Sequence, residues 1–254
     1  MLSATRLIFA ACVGAVVGLL AAHLLPTTPA AVQAFLETKP TFLVDHQELI
    51  ERARPFAEAR AEQQGRERRR SIVRQAWGSF LGAASMPRAG RVTDPVVVIE
   101  FTDFGCLPCK RSAERTAYVA ASNPDTQFVM AYMPSGDAGA ELAARAAIAV
   151  WAREPDRFLD VHRKLMAEPI PALQGAVEGL FPTNDPRTQP LRLLMGSNEV
   201  QKELQATRTL AQQLGVLGLP SYVIDGQLLT GPVSSSDLAR AIQVARTREV
   251  RPPS

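Results

Sequence analysis

Pro95-Val96-Val97-Val98-Ile99-Glu100-Phe101-Thr102-Asp103-Phe104-Gly105-Cys106-Leu107-Pro108-Cys109-Lys110 is the stretch that decides how the chain is read. Its first part, Pro95–Phe101, is a short β-branched run and predicts a central strand buried on both faces. A turn over 102–105 leads to the two cysteines, and a helix is expected from there to about Ala121. Cys-x-x-Cys is a weak signal alone, but between a buried strand and a helix start it acquires a mechanism. Unpaired N–H groups and the helix dipole at that end favour a thiolate on Cys106. Pro108 is tolerated in the first turn, where its missing N–H has no helical partner. Because the thiolate is what attacks a disulfide, Cys106 is the expected nucleophile. Cys109, one turn on, is placed to resolve a mixed disulfide. Lys110 and Arg111 add positive charge near the pair.

Two neighbouring features point to the same chemistry. Glu100 stands six residues before Cys106 on a strand otherwise made of Val, Ile and Phe. A buried carboxylate is costly. Its functional reading is a proton acceptor for Cys109, with a raised pKa; its plain reading is a strand-end carboxylate reaching water. Further on, Gly218-Leu219-Pro220 precedes Ser221–Leu229, two short strands around Asp225-Gly226 and a strong hairpin signal. A cis bond before Pro220 would bring the Leu219 backbone beside the cysteines; a trans edge-strand proline is the alternative.

The remaining periodicity gives a second strand over Gln127–Met133 and helices near 138–153, 156–166, 172–180, 190–195 and 198–214. A last helix over 237–246 is expected to be capped by Ser235 or Ser236. Upstream, residues 7–25 form an apolar run without a formal charge after Arg6. It is long enough to span a bilayer and is read as an uncleaved anchor, a cleaved signal peptide being the alternative. Cys12 lies within it as apolar filler. A charged helical stalk follows, about 45–83, with a sparse apolar stripe interrupted by Pro55 and Gly65. The expected organisation is an anchor or signal over 1–26, linker and stalk over 27–85, the folded domain over 86–249, and a tail over 250–254.

Composition mainly excludes. With 46% apolar and 21% charged residues the chain is neither disordered nor polytopic. Three cysteines rule out a disulfide-dense scaffold and a four-thiolate zinc site. Three dispersed histidines offer no local metal motif, so no metal is expected. No organic cofactor is expected for exchange at the cysteine pair, whose redox equivalents would come from a partner protein. The net charge of +3 traces to residues 51–74, where eight arginines meet four acids. The Arg66–Arg70 cluster is read as a solvated helix face rather than a nucleic-acid patch.

Residues 101–110 resemble the active-site segment of DsbA-like thioredoxin-fold proteins, and residues 215–226 resemble that family's cis-proline segment. The 114 residues separating Cys106 from Pro220 fit the family's helical insertion, here about 138–214. The charged helix is similar in placement to the N-terminal segment of ScsC-type disulfide interchange proteins, which oligomerise through it. The resemblance implies an α/β thioredoxin fold with a helical insertion, and thiol:disulfide exchange on cysteine-containing polypeptides of the bacterial periplasm. It further implies recycling by a redox partner protein and a substrate groove at Leu107, Pro108, Leu219 and Pro220, with homo-oligomerisation through 45–83. Two departures stand out. Leu-Pro occupies the dipeptide where the DsbA branch often has His or Tyr before the second Cys, and Leu219 is bulkier than the usual Thr or Val. Oxidase, isomerase and reductase directions are all compatible with this pattern. An idle membrane-tethered assembly or copper-binding subunit is the alternative class, and a cysteine hydrolase pairing Cys106 with His162 a third.

Overall fold

In the computed structural model, residues 28–81, 86–90 and 96–247 are described. The run 7–25 and the tail 250–254 lie outside them. Among the described residues no helix is long and apolar enough to cross a membrane. The chain divides into two compact units, residues 1–61 and 62–254.

Among the described residues five strands form one mixed sheet: β1 (Arg88–Ala89), β2 (Val96–Thr102), β3 (Thr126–Tyr132), β4 (Ser221–Ile224) and β5 (Gln227–Thr230). Their order is β1-β3-β2-β4-β5. Only β2 and β3 run parallel; the other pairs are antiparallel. The apolar run of β2 is central because it has a strand on each side and cover on both faces, which is why it reads as continuous rather than alternating.

The first unit holds α1 (Pro29–Thr38), α2 (Phe42–Asp45) and the start of α3 (Gln47–Ala76). Thr28 caps α1 by accepting the Ala31 N–H, and Phe42 stacks on His46. None of this unit's described residues is buried. Helix α3 continues through Pro55 and Gly65, where the sequence pattern predicts interruptions. Residues 51–60 are exposed throughout, so water can serve the carbonyl that Pro55 leaves without a donor.

In the second unit, α4 (Leu107–Ser122) follows the cysteine turn. The helical insertion is α5 (Ala138–Arg153), α6 (Pro155–Ala167), α7 (Leu173–Leu180), α8 (Gln189–Met195) and α9 (Asn198–Leu214). Helix α10 (Ser235–Arg246) ends the described fold. Its cap is Ser234, accepting the Asp237 N–H, one residue earlier than expected. Period-2 alternation along β2 divides the core. Val96 and Val98 join Val119 of α4, the insertion, and Leu238 and Ile242 of α10. Ile99 and Phe101 point the other way, against Leu210, Ala211 and Leu214 of α9.

That second cluster also takes in Ile72, Val73, Ala76, Trp77 and Leu81, so the end of the segment read as a stalk forms part of the core. The neighbouring arginines face the hairpin turn. Arg69 Nε donates to the Gly226 carbonyl (2.6 Å) and Arg70 Nε to that of Asp225 (3.0 Å), while Arg70 also pairs with the Asp225 carboxylate. Asp225 and Gly226 both have positive φ, as a two-residue hairpin turn requires. Arg69 and Arg70 are therefore a clasp on the β4–β5 turn rather than part of a solvated face.

Candidate active site: a cysteine pair at a helix N-terminus

Strand β2 delivers the chain to the top of the sheet, and the turn that follows caps α4 with a cysteine. Cys106 is the N-cap; the Cys109 N–H donates to its Sγ at 3.2 Å. The two residues are joined by a disulfide with Cα atoms 5.1 Å apart. Cys109 is buried, at 1% exposure, whereas Cys106 is half-buried and Leu107 beside it is exposed. The sulfur that can be reached is thus the one that the helix N–H groups serve.

The loop before β4 closes the other side. The Leu219–Pro220 bond is cis, and the Leu219 carbonyl oxygen lies 3.8 Å from Cys106 Sγ. Pro220 is buried, Leu219 half-buried and Leu217 almost fully exposed. The structure therefore brings Cys106, Leu107, Pro108, Cys109, Leu219 and Pro220 to one place.

Glu100 is buried at 4% exposure, opposite Tyr222 of β4. Thr116 of α4 donates to its Oε1 at 3.4 Å, and the Thr116 and Tyr222 hydroxyls are 3.0 Å apart. Burial pushes the carboxyl up to about 7, while hydrogen bonds from Tyr222 and Thr116 pull the other way. Cys109, Ser112 and Thr116 share the buried face of α4, Thr116 lying two turns beyond Cys109. No hydrogen bond links Glu100 to either cysteine; its partners are the two hydroxyls.

Lys110 does not point at the cysteines. Its ammonium donates to the Leu165 and Met166 carbonyls, at 2.9 and 3.3 Å, in the last turn of α6. Desolvation lowers its pKa, and Asp103 and Glu168 act against that. His162 is buried, with Nδ1 2.7 Å from the Tyr132 hydroxyl, and it packs on Phe104 and Phe158. Burial first, and then Arg163 and Lys110, push it down to about 4. It is neutral at pH 7 and bonded to tyrosine, with no hydrogen bond to Cys106, so the hydrolase pairing has no geometric basis. Among the described residues no group of three or more His, Cys, Asp or Glu could hold a metal.

Asp103 escaped the sequence reading. It is buried at 1% exposure and accepts from Gly105 N (2.9 Å), Ser135 N (3.1 Å) and Ser135 Oγ (2.6 Å). The available signal was an Asp two residues before a Gly in a turn, the spacing of an Asx turn.

The family model described as DSBA-like thioredoxin domain matches residues 129–243. Residues 129–243 therefore match a DsbA-like thioredoxin domain, and the fold around them is that of a thioredoxin-fold protein with a helical insertion. The matched residues begin in β3, so the place of the cysteine pair rests on the geometry above. Disulfide bond formation protein D of Bacillus subtilis is 22% identical over 167 residues, 62% of this chain and 75% of that protein. A linker-deletion mutant of Proteus mirabilis ScsC is similar with a TM-score of 0.63 at 21% identity, covering 88% of this chain and 99% of that one. A thioredoxin-like oxidoreductase from Silicibacter pomeroyi is 27% identical with a TM-score of 0.58, over 66% of this chain and 96% of that one. The DsbA-like domain and its disulfide-linked pair place the protein among thiol:disulfide oxidoreductases.

Proposed function

We propose that the protein exchanges disulfides with cysteine-containing polypeptides in the bacterial periplasm through Cys106. The observation that supports this best is the accessible Cys106 at a helix N-cap, bonded to buried Cys109 and beside the Leu219 carbonyl. In the oxidising direction a substrate thiolate attacks Cys106 Sγ. The Cys106–Cys109 bond breaks, and Cys109 leaves as a thiolate that takes up a proton. A second substrate thiolate then attacks the substrate sulfur of the mixed disulfide and expels Cys106 as a thiolate. The substrate gains one disulfide, and the protein holds the two electrons as a dithiol until a redox partner protein removes them. Reduction is the same sequence reversed. In isomerisation the reduced Cys106 thiolate opens a substrate disulfide, and a different substrate thiolate then attacks the mixed disulfide and expels Cys106, with no net transfer of electrons.

In this reading Leu107, Pro108, Leu219 and Pro220 form the groove that holds an extended substrate segment, with the Leu219 backbone beside it. Glu100 exchanges the Cys109 proton through intervening groups. Residues 7–25 tether the protein to the inner membrane, and the exposed helical segment upstream of Glu62, about 45–61, associates with copies of itself. Sedimentation with and without residues 30–61 tests the last point: an unchanged oligomeric state would sink it.

Insulin reduction and scrambled-substrate refolding, run on wild type, Cys106→Ser and Cys109→Ser, test the chemistry. Cys106→Ser is expected to be inactive and Cys109→Ser to accumulate substrate-linked protein on non-reducing gels. Equal activity of wild type and Cys106→Ser would remove the reading. The reduction potential of the pair sets the direction: about −120 mV corresponds to an oxidase and about −270 mV to a reductase.

A further inference from the structure

Beneath the turn that presents Cys106 sits a buried carboxylate for which exchange, as described above, has no use. Asp103 Oδ1 accepts the N–H of Gly105, the residue just before the nucleophile, and the Cys106 N–H donates to the Asp103 carbonyl at 3.2 Å. Asp103 Oδ2 takes both the N–H and the hydroxyl of Ser135, in the loop between β3 and α5. Gly105 is pressed between this carboxylate and Ala140 of α5; a Cβ there would come within 2.9 Å of the Ala140 Cβ and 3.5 Å of Asp103 Oδ2. The turn is therefore held from below by one side chain. Lys110 interacts electrostatically with Asp103, and Asp137, two residues beyond Ser135, caps α5.

We propose that Asp103 is a positioning residue that sets the reduction potential of the Cys106–Cys109 pair, its fixed negative charge opposing the thiolate of Cys106. The inference rests on Cys106 being the exchanging cysteine. The opposition acts in one redox state only. In the disulfide, Cys106 carries no charge. In the dithiol form, the Cys109 N–H and the helix end favour a thiolate on Cys106, and a carboxylate under the same turn disfavours it. Destabilising the reduced form makes the pair less oxidising. The hydroxyl of Ser135 spreads part of the Asp103 charge and moderates the effect.

Asp103→Asn and Ser135→Ala separate this role from simple anchoring, because charge and anchoring predict different signs. Removing the charge should shift the glutathione redox equilibrium toward the reduced protein by roughly three- to tenfold, the scale of one charge several ångströms away in a partly solvated site. It should also raise the thiolate absorbance of Cys106 at a given pH. Ser135→Ala leaves the carboxylate less well served and should shift the same equilibrium the other way, by a smaller factor. A structural role alone would move both variants in one direction. Should Asp103→Asn fail to fold, a shift of Ser135→Ala toward the reduced form, or no shift, overturns the inference unaided. A folded, exchange-active Asp103→Asn with the wild-type equilibrium overturns it while leaving the exchange reading intact. A wild-type pair that does not equilibrate with glutathione removes the exchange reading and the inference together.

Discussion

Replacing Glu100 by Gln should reverse part of the protein's response to pH. The carboxyl lies at 4% exposure between β2, β4 and α4, and burial raises its pKa from 4.5 to about 7. Between those two values the unfolded chain releases this proton while the native protein keeps it, so stability falls as pH rises. At about 1.4 kcal/mol per pH unit, the loss from this one group is about 3 kcal/mol, complete above pH 7. Gln keeps an acceptor for the Thr116 and Tyr222 hydroxyls but brings an amide NH2 without a partner, a cost of roughly 1–2 kcal/mol at every pH. Glu100→Gln should therefore be less stable than wild type at pH 4.5 and more stable at pH 8. The difference between the two proteins should change by about 3 kcal/mol across that range. Urea unfolding of both proteins with the disulfide intact, followed by circular dichroism, measures it. Contributions from Glu203 and His162, also displaced by burial, cancel in the comparison. Wild-type and variant stabilities that stay parallel from pH 4.5 to 8 would refute the reasoning.

Arg70→Ala should cost roughly 1 kcal/mol in urea unfolding, because its carboxylate partner is only 5% exposed while the guanidinium keeps some contact with water. Combined with Arg69→Ala it should open residues 62–76 to proteolysis; an unchanged cleavage pattern would argue against the clasp. Gly226→Ala places a Cβ against the Arg66 carbonyl at a φ of +72° and should lose at least roughly 2 kcal/mol, read as a fall in melting temperature. Lys110→Met preserves the stem but takes both donors from the end of α6, for roughly 1 kcal/mol. Hydrogen exchange should then quicken in 163–167.

The parts of the fold that were legible are those encoded by neighbours in sequence. The β2 run, the helix start at Cys106 and the Asp225-Gly226 turn each carry their signal within ten residues, and the insertion helices show it in their period. Strand β1 is two residues long, below any period, and exists because β3 offers it a free edge. Ser234, Ser235 and Ser236 are all suitable caps, and only the path of the backbone selects the first. The clasp was hidden because Arg66–Arg70 matches a solvated face equally well; its partner lies about 155 residues away. Asp103 was missed for a related reason: Ser135 and Ala140, which give it a purpose, reach it only through the tertiary fold.

Where Arg69 and Arg70 grip the hairpin also determines where this protein can be divided. A fragment starting at Met86 would strip Ile72, Ala76, Trp77 and Leu81 from the cluster on one face of the sheet, leaving α9 to cover Ile99, Phe101 and Val129 without them and exposing part of that apolar face. A fragment starting at Glu62 keeps that face covered and the turn clasped. Upstream of Glu62 the described chain buries nothing, so a different appendage can be spliced there without redesigning the redox domain. The residues from 62 to 81 are inherited with the sheet they cover.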